Sequence, residues 1–310
     1  MTTYVLACLS GHGIGPEVMA EASRSLARVS RLHGFWIEET HLPFGSQAVT
    51  QYGHALPRAT RKATLAADAI LVASTGEPAL AGIESELDLD TRIDRIAFGP
   101  RNLVTILSPV ADDAFERTFA RAFDVACSSR AHVVSVGGNH RWAESFRAEA
   151  ARRDGVLTEE TPVGTAAEDL VFAPETVDVL VAPAPVGEAL VALAACRHRP
   201  RVAASGHLSA RGPGVFAPVH GPAADIAGQG VANPASMLLA ASLMLGEGLG
   251  ERRAAETLAG AVLEACCNGA RTPDMLATGL GLTTREFGDV VLSALSAALT
   301  NAEFYREAVA

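Results

Sequence analysis

Short apolar runs alternate along this chain with longer segments whose apolar residues recur at helical spacing. A strand that is apolar on both faces needs helices on both sides of its sheet, and parallel strands are joined by crossover helices. The alternation therefore predicts an α/β fold with a mostly parallel central sheet and helices on both faces. Strands are predicted at residues 3–9, 69–73, 102–107, 132–136 and 176–182, and helices at 16–29, 58–67, 114–126, 141–152, 186–195, 235–245, 251–267 and 284–304.

The chain has 310 residues, which is enough for about two domains of about 150 residues each. Neither a long charged block nor a Pro/Ser-rich linker separates two halves, so the domains are expected to share strands. After Pro200 the pattern changes to a Gly/Pro-rich stretch, which is expected to form a loop ahead of the last three helices.

Composition excludes several classes of partner. The formal net charge of −10 argues against a nucleic acid, because phosphate binding needs a basic surface. The five cysteines are odd in number and form no C-x-x-C pair, so we expect no disulfide framework and no zinc site, and a cytoplasmic location. No basic leader or unbroken apolar span is present, so no membrane association is expected.

Two glycine-rich segments stand where backbone N–H groups could meet a ligand. The first, GHGIGP at residues 11–16, joins a predicted strand to a predicted helix. Such a turn can bind an anion. The spacing of its glycines, however, matches neither the dinucleotide fingerprint nor the P-loop. A purely structural role for this turn is the alternative.

The second segment, at residues 217–234, is long and rich in small residues, with one His, one Asp and one Asn. Small residues let the backbone approach a flat adenine ring and its ribose. An acidic side chain can accept a hydrogen bond from the ribose 2′-hydroxyl and would repel a 2′-phosphate. Asp225 therefore favours NAD over NADP.

Four segments together resemble the isopropylmalate/isocitrate dehydrogenase family, in the family's order and across nearly the whole chain. They are GHGIGPEV, FGSQAVTQYGHALPRATRKATLAADAILVAS, HVVSV and PVHGPAADIAGQGVANP. The resemblance implies a two-domain fold, with a first domain from residues 1–100 and 205–310 and a second, substrate and dimerisation domain from 101–204. It implies a homodimer, and an adenosine pocket for NAD lined by His220, Gly221, Ala223, Asp225, Ile226 and Asn233.

Members of this family oxidise a malate-type 2-hydroxy acid with a Lys base and a Tyr acid. Where the family has Asp-Lys after the strand that matches HVVSV, this chain has Gly137-Gly138. Lys62 is the only lysine, and it lies in the first domain. Tyrosine occurs only at Tyr4, Tyr52 and Tyr305, and the segment that carries the acid is expected to be deleted between residues 109 and 114. The resemblance therefore implies that both proton-transfer groups are missing.

The family also binds a divalent metal through three Asp residues. Those positions match Gly164, Glu188 and Ala192 here. One carboxylate is a poor ligand set for Mg²⁺ or Mn²⁺, which need several oxygens in a near-octahedral shell. No metal ligands are therefore assigned.

Other residues could take over some of these roles. His140 follows the vacated lysine position and could act as a base, because a His near its ordinary pKa exchanges protons at neutral pH. Glu188 could orient His140 or bind a cation, and His207 could face the substrate. Three arginines are candidates for binding the carboxylates of a small acid: Arg92, Arg95 and Arg101.

Two functional hypotheses follow, and the sequence favours the first slightly. One is an NAD-dependent oxidoreductase that acts on a small 2-hydroxy acid with altered, metal-independent chemistry. The other is a catalytically silent NAD-binding protein or the regulatory subunit of an active homologue, because catalytic groups that act as a unit are lost together. A purely structural protein would not need Asp225 and Asn233 in their family setting.

Overall fold

The computed structural model describes residues 1–74, 78–99, 102–111, 115–197, 202–276 and 279–309, with backbone alone for 298–309. Its strands are β1 (Thr3–Leu9), β2 (Trp36–His41), β3 (Ala69–Val72), β4 (Leu89–Gly99), β5 (Asn102–Pro109), β6 (His132–Val136), β7 (Leu157–Thr161), β8 (Val179–Val181), β9 (Ala203–Ser209) and β10 (Gly214–Pro218). Its helices are α1 (Gly15–His33), α2 (Gly45–Tyr52), α3 (Arg58–Ala66), α4 (Pro78–Glu84), α5 (Phe115–Cys127), α6 (His140–Ala150), α7 (Val163–Phe172), α8 (Ala184–Arg197), α9 (Ala235–Leu243), α10 (Arg252–Cys267) and α11 (Thr284–Val309).

The chain divides into two compact units. The first comprises Met1–Leu87 with Arg211–Ala310, and the second comprises Asp88–Ala210. These boundaries differ from the expected 1–100, 101–204 and 205–310. The reason is that β4 pairs antiparallel with β5 on one side and with β9 on the other, so the hydrogen bonds of β4 and β9 tie both strands to the second unit.

The first unit is built on four parallel strands in the order β2, β1, β3, β10. Helix α1 packs against α9, α10 and α11. Every residue of α9 is buried, as expected for a helix that is apolar on all sides and therefore lies in the centre of a core. Helix α1 ends at Gly34, whose φ of 79° requires the left-handed conformation that glycine adopts without strain.

The second unit has the strand order β9, β4, β5, β8, β6, β7, in which the pairs among β5, β8, β6 and β7 are parallel. Two successive residues of β4 show that helices cover both faces of the sheet in the second unit. The Thr91 hydroxyl lies 3.1 Å from that of Thr118 in α5, whereas Arg92 reaches Glu188 in α8. Because neighbouring side chains of a strand point to opposite faces, α5 and α8 lie on opposite sides of the sheet.

The predicted fold class is confirmed: the structure is α/β, its strand pairs are mostly parallel, and helices cover both faces. The expectation of a loop after Pro200 was wrong, because β9 and β10 lie there. His207 therefore stands on β9, opposite Arg92 of β4, and not in a loop. Among the described helices, none is long and apolar enough to cross a membrane.

Candidate functional site

The glycine turn after β1 contacts the loop that follows β10. The Ile14 N–H donates to the Pro222 carbonyl at 2.8 Å. At Gly13, whose φ is 67°, a Cβ atom would lie 1.9 Å from the same carbonyl oxygen. A side chain at residue 13 is therefore excluded, and the two glycine-rich motifs of the sequence meet at one point of the first unit.

Glu17, in the first turn of α1, holds the loop that follows β10 through hydrogen bonds. Its carboxylate accepts hydrogen bonds from the backbone N–H groups of Gly228 at 3.3 Å and Gly230 at 3.1 Å. The start of α11 holds the same stretch, since the Thr284 hydroxyl donates to the Ala232 carbonyl at 2.7 Å. Sequence reasoning missed Glu17. The signal available was an acidic residue directly after the glycine turn.

The side-chain amide of Asn233 contacts other residues of the chain through both its nitrogen and its oxygen. Its amide nitrogen donates to Thr272 Oγ1 at 3.0 Å and contacts Met275 Sδ at 2.6 Å. Its amide oxygen accepts from the Ala235 N–H at 2.9 Å, at the start of α9. The side chain therefore fixes the end of the loop against residues 272–275 and against the start of α9.

His220 begins the loop with a partly buried ring whose Nδ1 lies 3.0 Å from the Gly221 carbonyl oxygen. Burial lowers the pKa of the imidazole from its ordinary value of 6.5. The ring is therefore neutral at neutral pH. Ala223, with a φ of 40°, then turns the chain into a short 3₁₀ turn at Ala224–Ile226.

The exposed part of this loop leaves an acidic side chain and open backbone accessible to a ligand. Asp225 is exposed, and within the described part of the chain no residue donates to its carboxylate, while its backbone carbonyl accepts from Gln229. Nothing lies within 4 Å of the position a Cβ would take at Gly221 or Gly228. Asp225 thus presents an exposed carboxylate beside open backbone.

In the second unit, the position expected to carry the family's lysine is closed by packing. Gly138 has a φ of 89°, and a Cβ there would lie 2.4 Å from atoms Cγ and Cδ1 of Trp142. The indole is buried, and its Nε1 donates to Ser135 Oγ at 2.9 Å. No side chain fits at residue 138 unless the indole ring moves.

Two phenylalanines of α5 contact that ring, and a third packs against one of them. The ring of Trp142 lies edge-on to Phe119 with centroids 4.6 Å apart, and 6.0 Å from Phe115. Phe119 in turn contacts Phe146 at 5.6 Å. The Trp142 ring is therefore packed between Ser135 and the phenylalanines of α5.

The predicted catalytic pair is not joined by any described contact. His140 begins α6, is 84% exposed, and lies 3.3 Å from Glu144 one helical turn later. Glu188, on α8, lies 3.4 Å from Arg92 instead. His140 therefore has the surroundings of a surface residue.

The predicted substrate arginines differ in their surroundings. Arg92 forms a two-pronged ion pair with the buried Asp94, at 2.8 and 3.1 Å, in addition to its contact with Glu188. Two carboxylates thus balance its charge. Arg95 is partly buried on β4, and Arg101 lies outside the described residues.

A cavity of about 320 Å³ opens at the carboxyl ends of β5, β8 and β6. Ligands of parallel sheets bind in such crevices, especially where neighbouring strands send their helices to opposite faces. The guanidinium carbon of Arg141 stands 5.0 Å from the centre of the Phe115 ring at this cavity. The cavity can accommodate a small anion with an apolar body; its lining is Pro109, Val110, Ala111, Phe115, Gly138, Asn139, Arg141, Trp142, Pro183, Ala184 and Pro185.

Comparison with known proteins gives a consistent result along the whole chain. The family model described as isocitrate/isopropylmalate dehydrogenase matches residues 5–93 and 91–291. The chain is 32% identical over 359 residues to a 3-isopropylmalate dehydrogenase of Prochlorococcus marinus (strain MIT 9313), covering 95% of this chain and 100% of that protein. It is 30% identical over 357 residues to one from Synechococcus sp. (strain CC9605), with the same coverage. Both alignments exceed the 310 residues of this chain, so both relatives carry segments that it lacks.

Solved structures show the same fold. A β-decarboxylating dehydrogenase from Thermococcus kodakarensis superposes with a TM-score of 0.79 at 23% identity, covering 97% of this chain and 98% of that one. An isocitrate dehydrogenase from Methylococcus capsulatus gives a TM-score of 0.76 at 23% identity, covering 94% and 99%.

Proposed function

The chain belongs to the isocitrate/isopropylmalate dehydrogenase family, and from this premise we propose that it binds NAD without performing the metal-dependent decarboxylation of its relatives. The observation that supports the absence of decarboxylation is at Gly138. Atoms of the Trp142 ring lie 2.4 Å from the position that a Cβ of residue 138 would take. A lysine base at this position would have no space.

The proposal of NAD rests on the first unit. The exposed carboxylate of Asp225 is available to a ribose 2′-hydroxyl and would repel a 2′-phosphate. His220, neutral because burial lowers its pKa, presents an uncharged ring at the start of the loop. When bound, NAD supplies a hydride acceptor. The residues of this chain orient the adenosine half and select against NADP.

Thermal unfolding tests the cofactor. A ligand that binds the folded state alone stabilises it by about 2.7 kcal/mol at a concentration of one hundred times Kd. We expect NAD to raise the Tm and NADP to leave it unchanged. Asp225→Asn should reduce this preference. A protein whose Tm responds to neither dinucleotide would contradict NAD binding.

A metal-independent oxidation of a small 2-hydroxy acid is the second candidate. The cavity at the carboxyl ends of β5, β8 and β6 supports it, because Arg141 could bind a carboxylate there. This candidate requires the exposed His140, which precedes Arg141 but does not line the cavity, to act as the base. Reduction of NAD by a panel of 2-hydroxy acids, with and without Mg²⁺ and chelator, separates the two candidates. Turnover that is lost in both Arg141→Ala and His140→Ala would favour the oxidoreductase.

We also propose that two copies of the chain associate through the second unit. Strand β7 lies at the edge of its sheet, and Leu157 on that strand is 66% exposed. Val163 and Phe172 of the following helix are 41% and 78% exposed. Exposed apolar side chains of this size next to an open strand edge are typical of an interface.

A further inference from the structure

Three side chains with metal-binding chemistry meet on one face of β1 and β2, in the first unit. Cys8 of β1 is the register partner of His41 in β2, and Glu39 lies two residues before His41 on the same face. The Cys8 sulfur is 4.0 Å from Glu39 Oε2, and His41 Nε2 is 3.1 Å from the same oxygen. The three potential ligand atoms all lie within 4.8 Å of one another.

The charges around this cluster call for a cation. The Glu39 side chain is 17% exposed, and its carboxylate accepts from Ser23 Oγ at 2.5 Å. Among the described residues, no Arg or Lys forms an ion pair with Glu39, and His41 is its one basic neighbour. A largely buried carboxylate without a fixed positive partner is costly.

The state of the cysteine agrees with this picture. Cys8 is fully buried, and its thiol lies against the Glu39 carboxylate. A divalent cation would stabilise both the carboxylate and the thiolate.

We propose that Cys8, Glu39 and His41 form a zinc site at the edge of the first unit, with water as the fourth ligand. Zn²⁺ takes thiolate, imidazole and carboxylate ligands in tetrahedral geometry, with bonds of about 2.0 to 2.3 Å. The widest of the observed separations exceed those of ligands that share one zinc ion, so binding draws the three side chains closer together. Binding releases the thiol proton to solvent, and Ser23 orients the carboxylate from behind.

The site would fasten the edge strand β2 to β1 at the carboxyl end of both strands. Neither NAD binding nor turnover in the second unit is needed for it. Its consequence is stability, because a metal that binds the folded chain alone raises the free energy of unfolding.

Cobalt spectroscopy on the full chain tests this assignment. Co²⁺ replaces Zn²⁺ with the same ligands, and a thiolate ligand gives it a near-ultraviolet charge-transfer band. We expect one equivalent of Co²⁺ to produce this band, Zn²⁺ to remove it by competition, and Zn²⁺ to raise the Tm. The band should vanish in Cys8→Ser and persist in Cys266→Ser, which alters another buried free cysteine.

Two further variants test the zinc site if Cys8→Ser fails to fold. His41 is 53% exposed, so His41→Ala should keep the fold and weaken Co²⁺ binding. Ser23→Ala should weaken it about tenfold, the usual effect of losing an outer-shell hydrogen bond. Absence of Co²⁺ binding, binding without the thiolate band, or unchanged affinity in His41→Ala would each overturn the proposal.

Discussion

Gly138 sets a limit on the chemistry of the second unit, because backbone conformation and packing both exclude a side chain there. Its φ of 89° disfavours any residue with a Cβ, and the Trp142 ring occupies the space that the Cβ would take. A side chain at residue 138 would therefore have to displace the Trp142 ring of α6.

Gly138→Ala should therefore destabilise the protein more than a glycine substitution that meets strain alone. Gly155, with a φ of 80° and nothing within 4 Å of its Cβ position, is the matched control. Gly155→Ala is expected to cost about 1 to 2 kcal/mol, and Gly138→Ala about 1 to 3 kcal/mol more for overpacking. Urea unfolding measures both. Equal losses would mean that the Trp142 ring moves aside freely.

His220 should make stability depend on pH. Burial holds its pKa in the folded state below 6.5, so as the pH falls below 6.5 the unfolded chain binds a proton first. The free energy of unfolding should therefore fall between pH 6.5 and the folded pKa, and stay level above pH 6.5. Replacing His220 by Asn should flatten this slope, leaving the part due to His33, whose pKa burial also lowers. An unchanged slope in the variant would assign the effect elsewhere.

The order of the loop that follows β10 depends on the first turn of helix α1. Glu17 accepts from two backbone N–H groups of the loop, at Gly228 and Gly230, and a charged acceptor makes stronger hydrogen bonds than a neutral one. Helix α1 thus links the glycine turn after β1 to the loop after β10. A substitution in the first turn of α1 should therefore change the affinity for the dinucleotide.

Glu17→Gln should raise the Kd for NAD by roughly three- to tenfold, which corresponds to about one weakened charged hydrogen bond. Amide hydrogen exchange at residues 227–231 should become faster in the same variant. Glu38→Gln removes an exposed carboxylate of β2 and serves as the control. If both variants bind NAD equally well, Glu17 does not order the loop.

Strand β7 and helix α7 should decide the oligomeric state. Placing a charge at Leu157 or Phe172, as in Leu157→Asp or Phe172→Asp, should convert a dimer into monomers, because an unpaired charge is costly in an apolar interface. Val49→Asp, at an exposed apolar residue of the first unit, should leave the dimer intact. Light scattering after size-exclusion chromatography reads out all three. A dimer that survives both changes in the second unit would exclude this surface.

For the whole molecule, β4 determines which residues form a folding unit. It lies between β5 and β9 and hydrogen-bonds to both. A boundary inside or after β4 would leave two strand edges open in the middle of a sheet. Residues 88–210 therefore contain every pairing among β9, β4, β5, β8, β6 and β7.

A fragment of residues 88–210 should fold by itself and unfold cooperatively in urea. A fragment of residues 101–204 lacks β4 and most of β9 and should stay largely unfolded or aggregate, because β5 loses its antiparallel partner. Circular dichroism and urea titration distinguish the two outcomes. Equal behaviour of the two fragments would show that β4 is not essential to the second unit.

The sequence alone determined the α/β class, most of the long helices and the two glycine-rich motifs. These features are local: the period of the apolar residues, the turn glycines and the family resemblance can all be read along the chain. It did not reveal β9 and β10, because short strands among glycines and prolines have no periodicity to distinguish them from loop.

Only the tertiary structure decided which distant side chains meet. The hydrogen bonds of Glu17 to the loop after β10, the contact of Arg92 with Glu188 and the packing of Trp142 on Phe119 all depend on how elements pack. Cys8 and His41 are far apart in the chain, so their spacing predicted no metal site. Parallel pairing of β1 with β2 brings them side by side, since strand register is set by hydrogen bonds between segments and not by either segment alone.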